Sequence, residues 1–173
     1  MSQDENRRKL IDLTATATRY CVVLQNAAEH EKEEFVIEML RLLPELYLGF
    51  STLNPDVFAG VAEFGYFPDY VDEDFYESVR RNVGIVIGED DVFLETFEED
   101  MKYSDTPIAA SVSECLADIF QPLFNFISVM KDAGIEEGEG AYQECHGNFE
   151  AYWSQTLCNV MRALNNIRYN SKD

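Results

Sequence analysis

The 173-residue chain is poor in positive charge and poorer still in histidine: 13 Lys and Arg face 33 Asp and Glu, with two His. So few histidines close one route at once. A di-iron helical bundle needs Glu-x-x-His on two helices so that both ligands point inward. Here Ala27 stands three residues before His30 and Gln143 three before His146. The scarcity of basic groups disfavours nucleic acid and anionic membrane as direct partners, because a negative field repels both. No pair of the four cysteines forms Cys-x-x-Cys, and no disulfide framework is implied. There is no phosphate-cradling glycine loop, no dinucleotide fingerprint and no Gly-x-Ser-x-Gly elbow. Cys145 and His146 are adjacent, so on a helix they diverge by about 100° and cannot form a nucleophile–base pair. No apolar run approaches the roughly 20 residues that span a bilayer. The opening Met-Ser-Gln-Asp-Glu-Asn-Arg-Arg-Lys lacks the apolar middle of a signal peptide. The expectation is a cytoplasmic protein.

What is present is a core and an excess of acid. Hydrophobic residues make up 46%, with 12 Phe and 9 Tyr, which is a globular composition. The length suits one domain over residues 1–173. The formal net charge of −20 is unevenly spread: residues 1–28 carry +1, residues 29–105 carry −16 and residues 106–173 carry −5. Such a surface favours basic proteins or divalent cations, and it also keeps a protein soluble.

Apolar spacing predicts helices throughout. Leu10, Leu13, Ala17, Tyr20, Cys21, Leu24 and Ala28 form a stripe over about Asp4 to Ala28. A second helix carries Val36, Met39, Leu40, Leu43, Tyr47 and Phe50, with Pro44 expected to kink or split it. Residues 51–70 read as an irregular loop pinned by Phe58, Phe64, Tyr66, Phe67 and Tyr70. A helix resumes near Asp72 with Phe75, Val79, Val83 and Val86. Residues 83–87 also suit a short strand, and helix is preferred because nothing nearby offers a partner strand. The central helix is expected from Thr106 as N-cap and Pro107 as first residue to Met130. Its stripe is Ile108, Val112, Cys115, Leu116, Ile119, Leu123, Phe126, Ile127 and Met130, with Ser111, Glu114, Asp118, Gln121 and Asn125 opposite. Gly134, Gly138 and Gly140 then break the chain before a last helix over about Ala141 to Tyr169. The fold class is all-α: an antiparallel bundle of four to five helices with one aromatic-rich irregular loop.

Carboxylate spacing supplies the candidate sites. Glu31, Glu34 and Glu38 form one array on the second helix, and Glu114 with Asp118 lie one turn apart on the central helix. Facing carboxylates of this kind hold Mg or Mn in all-α nucleotide pyrophosphatases. Charges opposite an apolar stripe ordinarily face water, so a solvated face is the plainer expectation. The densest acidic cluster is Glu89, Asp90, Asp91, Glu95, Glu98, Glu99 and Asp100. It lacks the Asp-x-Asp-x-Asp-Gly order of a calcium loop and suits contact with a basic partner. Phe149, Tyr152 and Trp153 could line a pocket, but aromatics at helical spacing are expected in the core. Arg7, Arg8, Lys9, Arg162 and Arg168 are expected to pair with acidic loops, within the fold or across a dimer.

Five segments carry a resemblance: Leu42–Leu48, Gly88–Leu94, Asp100–Pro107, Phe149–Trp153 and Arg162–Tyr169. Through them the chain resembles an uncharacterised bacterial family, over most of its length. The resemblance implies a small helical cytoplasmic protein and supplies no catalytic residue. Residues and resemblance together lead to a non-enzymatic interaction or regulatory module with an acidic surface and no cofactor. Its partner would be a basic protein or a second copy of itself. The alternative is a divalent-metal-dependent hydrolase of a nucleotide or other phosphorylated small molecule.

Overall fold

A computed structural model describes residues 2–58, 67–95 and 108–170. Its elements are α1 (Gln3–Gln25), α2 (Lys32–Thr52), α3 (Glu73–Ile87), β1 (Val92–Glu95), β2 (Ile108–Ser111), α4 (Val112–Ala133), α5 (Ile135–Asn148) and α6 (Ser154–Asn170). A π-helical turn, Phe149–Trp153, joins α5 to α6 into one continuous rod. Counted that way, the described residues hold five long helices, and the fold is the expected all-α bundle.

Local chemistry starts three of them. The Ser2 hydroxyl accepts from the Glu5 amide at 3.2 Å to begin α1, and the Asp72 carboxylate accepts from Phe75 at 2.8 Å to begin α3. Ser111 accepts from Glu114 at 3.1 Å to begin α4. Acidic residues in each first turn complement the helix dipole. Residues 83–87 are helical, the last turn of α3. α2 runs through Pro44 without splitting.

α4 is the central element, packing on α1, α3, α5 and α6. Its start differs from expectation. Thr106 and Pro107 lie outside the described residues, and Ile108–Ser111 forms a strand, so helix begins at Val112 under a Ser111 cap. The strand finds the partner that the apolar pattern alone did not reveal: Val92 pairs with Ser111 and Glu95 with Ile108 in an antiparallel ladder. The second difference is the break after α4. Only Gly134, at φ +86°, interrupts the chain, and α5 passes straight through Gly138 and Gly140. Gly138 serves close approach: a Cβ there would run into the Met130 side chain.

The core is continuous from Leu10 to Ile167. Phe50 sits at its aromatic centre, 4.7 Å from the Trp153 ring and 5.3 Å from Tyr142. The polar ends of three buried rings are satisfied. The Tyr20 hydroxyl donates to Leu116 O at 2.7 Å, the Tyr142 hydroxyl to Leu53 O at 2.6 Å and Trp153 Nε1 to Cys145 O at 3.3 Å. Cys21, Cys115 and Cys145 are buried thiols and Cys158 is exposed. Three of the scarce cations pair across helices: Arg7 with the buried Glu139 of α5 at 2.5 Å, Arg19 with Glu45 at 2.9 Å, and Arg168 with Glu33 at 3.3 Å. No helix among the described residues is long and apolar enough to cross a membrane.

Candidate functional site

The face of α4 opposite its apolar stripe is not left to water. The β1–β2 hairpin, the first half of α4, the π-helical turn and the start of α6 enclose a groove of about 420 Å³. Glu95, Ser111, Glu114, Asp118, Tyr152, Gln155, Thr156 and Asn159 supply its polar wall, and Ala109, Ala110, Ala151 and Cys115 its apolar floor. Among the described residues that line it, none is Lys, Arg or His. This size falls within the range of roughly 300–1,000 Å³ typical of ligand pockets.

Asp118 is its fixed point. The Tyr76 hydroxyl, from α3, donates to Oδ1 at 2.5 Å, and the Tyr152 hydroxyl, from the π-helical turn, donates to Oδ2 at 3.0 Å. Burial first, and then the Asp118 charge, hold the Tyr152 phenol up to about 12. Burial and the Asp118 hydrogen bond push Tyr76 well above the usual phenol range. Burial, reinforced by Glu95, Asp118 and Glu114, pushes the Cys115 thiol up to about 12. Both phenols therefore remain donors at neutral pH, and the thiol remains protonated, without the nucleophilicity of a thiolate. Glu114 is exposed on the rim. Arg80 lies close enough to feel its charge while binding Glu77 through Nη2 at 2.7 Å. The groove can accept hydrogen bonds and positive charge; it presents no activated nucleophile.

A second hollow, of about 450 Å³, lies on the other side of the Asp118–Tyr152 bond. It is lined by Asp118, Gln121, Pro122, Asn125, Asn148, Tyr152 and Trp153. Pro122 has no N–H, so the helical hydrogen bond to the Asp118 carbonyl cannot form there.

The structure thus brings Glu114 and Asp118 into one groove and adds Glu95. Glu31, Glu34 and Glu38 do not line it; Glu31 is the residue before α2, and Glu34 is exposed on that helix. Among the described residues, no group of three or more His, Cys, Asp or Glu side chains is placed to hold a metal ion. The acidic cluster is dispersed among different tasks. Glu89 is exposed, Asp90 pairs with Lys32, and Asp91 accepts from the Ser113 amide at 2.8 Å and its hydroxyl at 2.7 Å, bracing the start of α4. Glu98, Glu99 and Asp100 lie outside the described residues. Sequence spacing missed Tyr76, and it offered Tyr152 as pocket-lining only as the lesser reading beside the core. Phe149 and Trp153 are core as expected, but Tyr152, at 56% exposure, faces the groove.

A family model for a domain of unknown function (DUF5063) matches residues 4–170. Among solved structures, the crystal structure of protein BF1032 from Bacteroides fragilis, a structural-genomics target, is similar with a TM-score of 0.81 and 32% identity. The similarity covers 95% of this chain and 94% of that one. No curated protein matches.

Proposed function

From a chain that belongs to the DUF5063 family, a domain of unknown function, we propose a non-enzymatic binding module that receives cationic side chains of a basic protein in the Asp118 groove. One observation carries this reading: a pocket-sized groove whose described lining holds Glu95, Glu114 and Asp118 and no basic residue. Lysine or arginine suits it, since the charged head meets carboxylates while the aliphatic stem lies on the alanine floor. The surrounding charge of −20 would steer such a partner toward the module and would oppose pairing of two copies. Three buried thiols are compatible with a cytoplasmic, reducing setting. The metal-hydrolase alternative has less support, because among the described residues no group of three or more His, Cys, Asp or Glu side chains is placed to hold a metal ion.

Calorimetric titration of the full chain with tetra-lysine and tetra-arginine peptides tests the proposal. Binding is expected at low ionic strength, weakening as salt is added. Asp118→Asn and Glu114→Gln should each weaken it about tenfold or more, the loss typical of a charge-assisted contact. Absence of binding, or affinity indifferent to both substitutions, would overturn the reading. A rise in melting temperature with magnesium or manganese that both substitutions abolish would favour the hydrolase instead.

A further inference from the structure

We propose that Tyr152 is a latch across the Asp118 groove: an arriving cation displaces its hydroxyl from Asp118 and joins the two hollows into one continuous channel. This inference rests on the binding proposed above and adds how that site is gated. Tyr152 and Asp118 are the two residues that line both hollows, of about 420 and 450 Å³, so the bond between them is the bar that separates these spaces. The two phenols on the carboxylate are held differently. Tyr76 is half-buried on α3, and its 2.5 Å bond to Oδ1 keeps Asp118 in place whatever happens on the other side. Tyr152 is 56% exposed, and its bond to Oδ2 is the longer, at 3.0 Å. Swinging out costs Tyr152 its bond to Asp118, its hydrogen bond with Thr156 and part of its burial, and a cation bound to Oδ2 replaces the first of these.

The backbone favours the same residue as the moving part. Tyr152 stands within the π-helical turn, an irregular stretch of a kind often found at functional sites. Its neighbour Trp153 is fully buried, donates to Cys145 O and also lines the second hollow. The ring behind the latch is thus fixed, while the ring in front of it is 56% exposed. A short ligand fits the first hollow with the latch closed. A longer cationic segment needs it open and bears the cost of opening.

Trp153 is the single tryptophan in the chain and stands beside the bar, so its fluorescence reports opening. The full-length protein and its Tyr152→Phe and Tyr76→Phe variants would be titrated with tetra-lysine. Removing the latch hydroxyl should tighten tetra-lysine binding roughly fivefold, the factor carried by one hydrogen bond of typical net strength. Di-lysine should gain less, and Tyr76→Phe should gain nothing. Equal or weaker tetra-lysine binding by Tyr152→Phe would overturn the latch. Should none of the proteins bind the peptide, the binding proposal fails, and acrylamide quenching without ligand decides the latch alone. Trp153 should be quenched more strongly in Tyr152→Phe at an unchanged melting temperature, and equal quenching would refute it.

Discussion

Two phenols aimed at one carboxylate, with a buried thiol beside them, give this site an alkaline signature. In the folded protein the Cys115 thiol is raised from 9.0 to about 12, and the Tyr152 phenol from 10.0 to about 12. Burial in the core also raises Tyr20 and Cys21 well above their ordinary values. A raised native value means that the unfolded chain releases protons which the folded one retains. The stability these groups contribute is complete below about pH 9 and is lost as pH climbs toward 12. Urea midpoints measured from neutral pH upward should stay level to about pH 9 and then fall steadily. Tyr152→Phe should soften that fall without removing it, since Cys115 and the core groups still titrate. A midpoint that rises above pH 9 would contradict the environments assigned to these residues. Little of this was legible in the sequence. Cys115 falls on the apolar stripe and is visibly a core residue, but a donor that reaches Asp118 from α3, 42 positions away in the chain, follows from tertiary packing alone.

At the level of elements, the helical stripes were read correctly wherever one face did all the packing. α1, α2, α3 and the rod from about Ala141 onward follow from spacing because that rule is local. The two failures have a common cause. Ile108 continues the stripe of α4, and Gly138 and Gly140 look like breakers, but the ladder with Val92–Glu95 and the contact with Met130 decide between alternatives that local pattern leaves equal. The π-helical turn left a mark that can be found in the sequence. Buried Cys145, Phe149, Trp153 and Leu157 are spaced four, four and four. Three such steps overrun a regular helix of about 3.6 residues per turn by roughly one residue. Deleting the exposed Ala151 should therefore restore an unbroken α-helix with both buried stripes in register. The expected variant keeps its helical circular dichroism and cooperative unfolding. It should lose the phenol bond to Asp118, and with it any difference in tetra-lysine binding on further changing the tyrosine to phenylalanine. Loss of cooperative unfolding would show that α5 and α6 need the extra residue to pack.

For the molecule as a whole, charge imposes opposite salt responses on stability and on binding. With 33 acidic and 13 basic side chains, the folded chain brings like charges closer together than the unfolded chain does. The ion pairs opposing this are few, and several are exposed: Arg19 with Glu45, Arg80 with Glu77, Arg168 with Glu33. Pairs of that type are worth about 0–1 kcal/mol each and are themselves screened. Among the described residues, Arg7–Glu139 joins an always-charged cation to a buried carboxylate, and it is the pair that salt should weaken least. Repulsion should therefore dominate, and the melting temperature should rise between low ionic strength and about 0.5 M sodium chloride, where the Debye length shortens to well under 10 Å. The same screening should weaken tetra-lysine binding, because there the attraction between protein and ligand is what salt removes. Parallel melting curves and titrations across one salt series check both signs on the same sample. A melting temperature that falls with salt would mean that the ion pairs outweigh the repulsion, and the acidic surface would then belong to the stability of the fold before it belonged to any partner.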